Sequence, residues 1–193
     1  LVEHAGLPEE PRWLKQVHGN RVVHASEVER DVTEADAVWT DQPGQVCAVM
    51  VADCVPILLA AKDGSCVAAI HAGWRGLAAG VIEETVKAMP VAGEEFVAAI
   101  GPCISAKHYG VGEEVIESLE AAGIWPVIIG LDADGPATRI LNLQATGSEQ
   151  LVDCGIKISG KQAFCTTSIT SVWYSHRAER VSGRFAAIVV IGS

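Results

Sequence analysis

The sequence predicts a single domain of α+β or α/β class covering residues 1–193. Three observations carry that expectation. The chain has 193 residues, 49% of them hydrophobic and 20% charged, which suits one well-packed core and is short for two. Strand-like apolar runs alternate with amphipathic, helix-like stretches. Internal repeats, low-complexity tracts and linker-like segments are absent.

The elements follow in order. Arg21 to Ala25 is rich in β-formers. Val46 to Ala52 and Val55 to Ala61 are two apolar runs, kinked between them at Asp53-Cys54-Val55-Pro56. Lys62-Asp63-Gly64 reads as a hairpin turn into a strand from Ser65 to His71. Leu77 to Met89 reads as one helix. It places Leu77, Val81, Ile82, Thr85, Val86 and Met89 near one face, with Glu83, Glu84 and Lys87 opposite. Pro90 ends it. Phe96 to Ile100 is a short strand that leads into Gly101-Pro102-Cys103. Gly112 to Ala122 is a helix with Val115, Ile116 and Leu119 inward, and Val127 to Ile129 is a strand. Leu143 to Asp153 is a further helix, weakened by Gly147 and closed near Gly155. Arg184 to Ile191 is the last strand.

Composition excludes several function classes. The formal net charge is −10, so there is no general basic footprint for nucleic acid, and anionic membranes would repel the surface. No apolar stretch reaches the roughly 18 residues of a membrane span. Leu1 to Leu14 carries charges and two prolines, unlike a signal peptide. The six cysteines are scattered without a CxxC pair. That pattern points to free thiols and a reducing, cytoplasmic setting.

The chemistry concentrates in His18, Cys54 and His71. They sit in Gln16-Val17-His18-Gly19, Ala52-Asp53-Cys54-Val55-Pro56 and His71-Ala72-Gly73-Trp74-Arg75-Gly76. Two imidazoles and a thiolate form a strong zinc or copper ligand set, and three protein ligands leave one coordination position open. His18 lies 36 residues before Cys54, and Cys54 lies 17 before His71, so only a fold could bring them together. The segment from His71 also carries glycines, a guanidinium at Arg75 and a helix start near Leu77, a combination suited to phosphate. A purely structural reading gives those glycines only turn geometry. Asp53 interrupts an apolar run, and a buried carboxylate needs partners. It is expected to accept hydrogen bonds from a ligand histidine or from backbone N–H groups. Cys103, at a strand end, and Arg184, at the start of the last strand, are candidates for lining the same pocket. Cys47 and Cys66 read as core, and His176 as a rim candidate. His4, His24 and His108 have no motif setting.

On these residues the chain resembles the YfiH-type laccase-domain proteins, also called multicopper polyphenol oxidoreductases and associated with purine nucleoside phosphorylase activity. The three motifs above carry the resemblance, joined by Ala35-Asp36-Ala37, Ile100-Gly101-Pro102-Cys103-Ile104 and Ser182-Gly183-Arg184. The resemblance implies a layered α/β/β/α sandwich with mixed sheets. It also implies zinc on His18, Cys54 and His71, phosphorolysis of adenosine, inosine, guanosine and methylthioadenosine, and deamination of adenosine. An N-terminal segment with an Arg-Gly-Gly turn and a Leu-Asn-Leu stretch, expected in the family, has no counterpart here. Gly110 stands where an acidic residue is expected, Asn142 where aspartate is, and Ala178 where arginine is common.

Catalysis is therefore expected to rest on Cys54, His71 and Arg75. Substrate and phosphate binding is expected to rest on Arg75, Cys103 and Arg184, with Asp53 orienting a ligand from behind. Three other readings stand beside this one. Cys54 and His71 could form the nucleophile and base of a metal-free cysteine hydrolase. A copper polyphenol oxidase is a further reading, though only six histidines are present. The last is a non-catalytic module that binds purine or metal.

Overall fold

The computed structural model describes residues 2–131, 139–161 and 164–192. A short helix, α1 (Val2–Ala5), opens the chain. The strands β1 (Val22–His24), β2 (Ala37–Thr40), β3 (Val46–Val51), β4 (Val55–Ala61) and β5 (Val67–Ala72) follow. Next come α2 (Trp74–Ala78), α3 (Val81–Ala88), β6 (Phe96–Ile100), β7 (Gly110–Val111) and α4 (Glu113–Ala121). β8 (Ile128–Gly130), β9 (Arg139–Leu141), α5 (Leu143–Asp153), β10 (Lys157–Lys161), α6 (His176–Glu179) and β11 (Phe185–Val190) complete it.

The central sheet has the strand order β1-β2-β5-β4-β6-β10 and is mixed. Its middle strands pair antiparallel, whereas β1 on β2 and β10 on β6 pair parallel. β3 and β11 form a second, antiparallel pair over their whole lengths. β7, β9 and β8 make a small third sheet. The architecture is thus a single α+β domain with mixed sheets, as expected.

Side-chain alternation explains the layering. On β4 and β5, Ile57, Leu59, Ala68, Ile70 and Ala72 join Leu77, Val81, Ile82, Leu119, Leu143 and Leu151 in the core beneath the helices. The alternate residues Leu58 and Ala69 meet Val38, Cys47, Val49, Ala187 and Val189 in a second core between the two sheets. His71 follows Ala69 by two, so it shares that second face and lies where the inter-sheet layer opens at the strand end. No helix among the described residues is long and apolar enough to cross a membrane.

The expected helix from Leu77 to Met89 is two helices. α2 begins earlier, at Trp74, and Gly80 at φ 81° separates it from α3. A left-handed residue cannot continue an α-helix, and glycine adopts that conformation without cost. The helix Leu143–Asp153 stands as expected, with Asn142 capping it by accepting from the Ala145 N–H at 3.0 Å. The hairpin turn also stands. Gly64 is at φ 76°, and the Asp63 side chain accepts from the Ser65 N–H.

Candidate metal centre

Asp36, in Ala35-Asp36-Ala37, organises the site. It is 0% exposed. Its two carboxylate oxygens accept from the N–H groups of Val17 at 3.2 Å, His18 at 2.9 Å and Gly19 at 2.7 Å. This clamp curls residues 17–19 into a tight turn and holds His18 at φ 61°. Gln16 anchors the turn from the other side. Its side-chain amide donates to the Met50 carbonyl at 2.9 Å and accepts from the Met50 N–H at 2.8 Å.

The fourth partner of Asp36 is His71, whose Nδ1 lies 2.8 Å from Oδ1. Burial pushes the Asp36 carboxyl up, but bonds from His71 and from the Gly19 and His18 N–H groups outweigh it and hold the value below the ordinary range. An ionised carboxylate only accepts, so Nδ1 of His71 is the donor. That leaves Nε2 of His71, on the Cys54 side, as the ligand atom. Burial opposes protonation of His71, but bonds to Asp36 and Cys54 and their charge raise it to about 9.

Cys54 sits in the turn between β3 and β4, beside Asp53, which has the unusual φ of 89°. The Cys54 Sγ is 3.9 Å from His18 Nε2. Burial would keep this thiol high, but bonds from both histidines and their positive charge bring it down to about 6. The ligand atoms of His18, Cys54 and His71 all lie within 4.8 Å of one another. His71 is buried, Cys54 half-buried and His18 exposed, so the trio opens outward. Gly73 passes directly beneath. A Cβ there would stand 3.0 Å from Cys54 Sγ and 3.1 Å from His18 Cδ2. The donor set, the lowered thiol and the clamped tautomer of His71 fit one thiophilic divalent metal ion with an open position.

The trio opens into a cavity of about 720 Å³, a size that suits a small organic substrate. Ile104, Tyr109 and Leu143 give it apolar wall, and Lys15, Arg75, Arg177 and Arg184 give it cationic rim. Arg75 stacks over Trp74 with Cζ 4.3 Å from the ring centroid. α2 has only five residues, so the guanidinium rather than a helix dipole carries the positive charge here. Arg184 donates to the carbonyls of Ser182 and Gly183, both at 2.9 Å. His176 also lines the cavity, as its rim assignment anticipated.

Of the two partners expected for Asp53 one is found, and Cys103 does not line the pocket. Asp53 does not hold the ligand histidine; Asp36 does. Asp53 instead accepts from Thr166 Oγ1 at 2.6 Å and from the Arg177 N–H at 2.7 Å, which is the backbone partner that the sequence allowed. It pins α6 and the segment at Thr166 to the Cys54 turn. Cys103 is not a lining residue. It is 3% exposed, belongs to the core beneath the helices, and burial pushes its thiol up to about 12. Its neighbour Ile104 lines the cavity instead.

Sequence reasoning also missed Tyr109 and Arg177. The Arg177 guanidinium lies 5.2 Å from the Tyr109 ring centroid and donates to the carbonyls of His108 and Gly110. Thus Gly110, where an acidic residue was expected, still engages a cation through its carbonyl. His24 and His108 make local bonds to Ser26, Asp41 and Ser168. The side chain of His4 lies outside the described residues. No disulfide forms among the described residues, and all six cysteines are free.

Residues 1–192 match the family model described as multi-copper polyphenol oxidoreductase laccase. A Pseudomonas aeruginosa protein named as a purine nucleoside phosphorylase is 39% identical over 179 residues, covering 93% of this chain and 73% of the relative. The Escherichia coli purine nucleoside phosphorylase YfiH is 35% identical over 196 residues, covering 98% and 77%. Among solved structures, a Neisseria meningitidis protein aligns with a TM-score of 0.85 at 34% identity, covering 100% of this chain and 78% of its own. YlmD from Geobacillus stearothermophilus aligns with a TM-score of 0.85 at 27% identity, covering 100% and 77%. By motif, fold and sequence identity, the chain belongs to the multi-copper polyphenol oxidoreductase laccase family, whose curated relatives here carry the name purine nucleoside phosphorylase.

Proposed function

We propose that the chain is a zinc-dependent purine nucleoside phosphorylase that also deaminates adenosine. The observation that carries this reading is the His18–Cys54–His71 trio opening into a cation-rimmed cavity. The names of the relatives support the substrate class, purine nucleoside and phosphate, with adenosine, inosine, guanosine and methylthioadenosine as the nucleosides. His18, Cys54 and His71 would hold the zinc ion, which would supply Lewis acidity when bound. The described residues bring one such trio together, which supports a single metal ion over a multicopper centre.

The chain's own residues then divide the work. Asp36 keeps His71 in the tautomer that presents Nε2. Arg75 and Arg184 hold the phosphate dianion, Arg75 through its planar fork. Tyr109, Ile104 and Leu143 flank the purine and exclude water from it. Asp53 fixes the Cys54 turn against α6. On this reading the net charge of −10 keeps nucleic acid and membranes away while the local rim attracts phosphate. The scattered free cysteines support a cytoplasmic setting.

One observation favours a second reading. A thiol lowered to about 6, with two histidines beside it, is also the arrangement of a cysteine hydrolase. Product analysis from adenosine separates the two. A phosphorylase forms ribose-1-phosphate and adenine in proportion to phosphate and loses activity when chelated. Full activity in metal-free protein selects the hydrolase, and turnover without any phosphate dependence removes the phosphorylase assignment.

A further inference from the structure

Cys103 and Cys165 are far apart in the sequence, and the fold sets them side by side. A parallel bridge pairs the two residues directly, just beyond the end of β6. The Thr166 N–H donates to the Cys103 carbonyl at 3.1 Å and closes the bridge. The Ser105 N–H reaches across it to Cys165 Sγ at 3.3 Å. Paired residues on neighbouring strands turn their side chains to the same face of the sheet. Such strands lie about 4.8 Å apart, within the roughly 4.4–6.8 Å between Cα atoms that a disulfide spans. Both thiols are free, and neither belongs to the metal-ligand trio.

The two sulfurs differ in character. Cys103 is 3% exposed, and burial keeps its thiol neutral. Cys165 is shallower, at 9%. Burial opposes its ionisation, but bonds from Ser105 and Ser168 outweigh burial and bring the thiol down to about 7. Outside the metal centre the other thiols go the opposite way, since burial raises those of Cys47, Cys66, Cys103 and Cys154. The thiolate is the form that reacts with oxidants. A nucleophilic sulfur therefore stands in register with a second, buried one.

We propose that Cys165 is an oxidation site for hydrogen peroxide, with Cys103 as the resolving thiol that closes a disulfide. The Cys165 sulfur attacks one peroxide oxygen. The O–O bond breaks, the sulfur gives up two electrons, and the departing hydroxide takes the proton Cys165 had shed and leaves as water. Cys165 is then a sulfenic acid. The Cys103 sulfur attacks Cys165 Sγ next. An S–S bond forms, the S–O bond breaks, and the Cys103 proton leaves with that oxygen as a second water. One peroxide becomes two waters while two thiols become one disulfide. The new bond joins the segments that hold Asp53 beside Cys54. Thr166 Oγ1 donates to the Asp53 carboxylate at 2.6 Å, and the Ile104 N–H donates to its carbonyl at 2.9 Å. A reversible pair of this kind suits a reducing compartment, where disulfides are transient.

Peptide mapping by mass spectrometry tests this on the full, zinc-supplemented chain treated with hydrogen peroxide. The expected product is a Cys103–Cys165 linked peptide, with the intact mass lower by two hydrogens and both thiols recovered by dithiothreitol. Cys103→Ala keeps a small apolar side chain in the core and removes the resolving thiol. In that variant the Cys165 sulfenic acid should persist and be trapped by dimedone. Cys165→Ser should form no disulfide and leave Cys103 unmodified. The readout is the linkage itself, so it stands apart from nucleoside turnover, and the wild-type map decides even where a variant misfolds. Absence of the linked peptide in wild type overturns the proposal, whether both thiols stay free or Cys165 stops at the sulfenic or sulfinic stage. So does a disulfide that joins either residue to Cys54, or dimedone labelling of Cys103→Ala that spares Cys165.

Discussion

At the metal cavity Asp36 is fully buried and accepts four hydrogen bonds. On α5 Gln150 is almost as deep, and among the described residues it makes none through its side chain. The contrast separates two kinds of buried polar group. Asp36 is finished within the chain, and its bonds fix the positions of two ligands, His18 through its backbone and His71 through its ring. Such a group works as a structural hub, and its removal orphans every donor around it. Among the described residues nothing satisfies the Gln150 amide, so it weighs against stability. The surroundings differ as well: cations rim the metal cavity, carboxylates the small cleft beside Gln150.

Removing the hub should do the most damage. Asp36→Ala leaves three backbone N–H groups and the His71 ring without an acceptor, and should cost about 3–5 kcal/mol, as breaking a buried pair does. Chemical denaturation reads that loss directly. The same variant should lower metal affinity about ten- to a hundredfold, because an outer carboxylate sets the histidine ligand. A loss no greater than that of an ordinary surface substitution would show that Asp36 is not the organiser.

Next in size is Arg75. Its removal in Arg75→Ala should cost roughly 1.5–3 kcal/mol of charge-assisted binding, about ten- to a hundredfold. Ribose-1-phosphate formation should bear that loss more than adenosine-to-inosine conversion, since only the first uses phosphate. Arg75→Lys should restore part of it. Equal losses in both reactions would reassign Arg75 to supporting the fold or the metal.

The smallest effect carries the opposite sign. Gln150→Leu replaces an unpartnered amide by an apolar group of similar size, and should leave the protein equally stable or up to about 1 kcal/mol more stable. Thermal melting checks it. A destabilisation comparable to that of Asp36→Ala would mean that Gln150 is satisfied after all, and the contrast between the two residues would fail.

Much of the fold was legible because its elements carry local signals. α5 has a capping Asn142 and a closing Gly155, and the hairpin before β5 has Asp63 and Gly64. β2 and β10 were missed for opposite reasons. β2 is only four residues long, while β10 reads Lys-Ile-Ser-Gly-Lys and lies at the polar sheet edge. The break at Gly80 was present in the sequence, but the apolar face on both sides concealed it. At the site, His18, Cys54 and His71 were legible through their glycine- and proline-marked surroundings. Asp36 was harder, since its partners lie 17 to 35 positions away. Its one signal is an acid flanked by alanines. Tyr109 and Arg177 have no local signal; only the packing of α6 over the β7 region brings them together.

On the function proposed above, His18, Cys54 and His71 hold one catalytic metal ion. Metal analysis of the purified protein, alongside Cys54→Ser and His71→Ala, tests it most directly. Wild-type protein should carry about one zinc per chain, and both folded variants should show sharply reduced occupancy, with nucleoside cleavage falling in step. Full zinc content in both variants, or full activity in metal-free wild type, would contradict it.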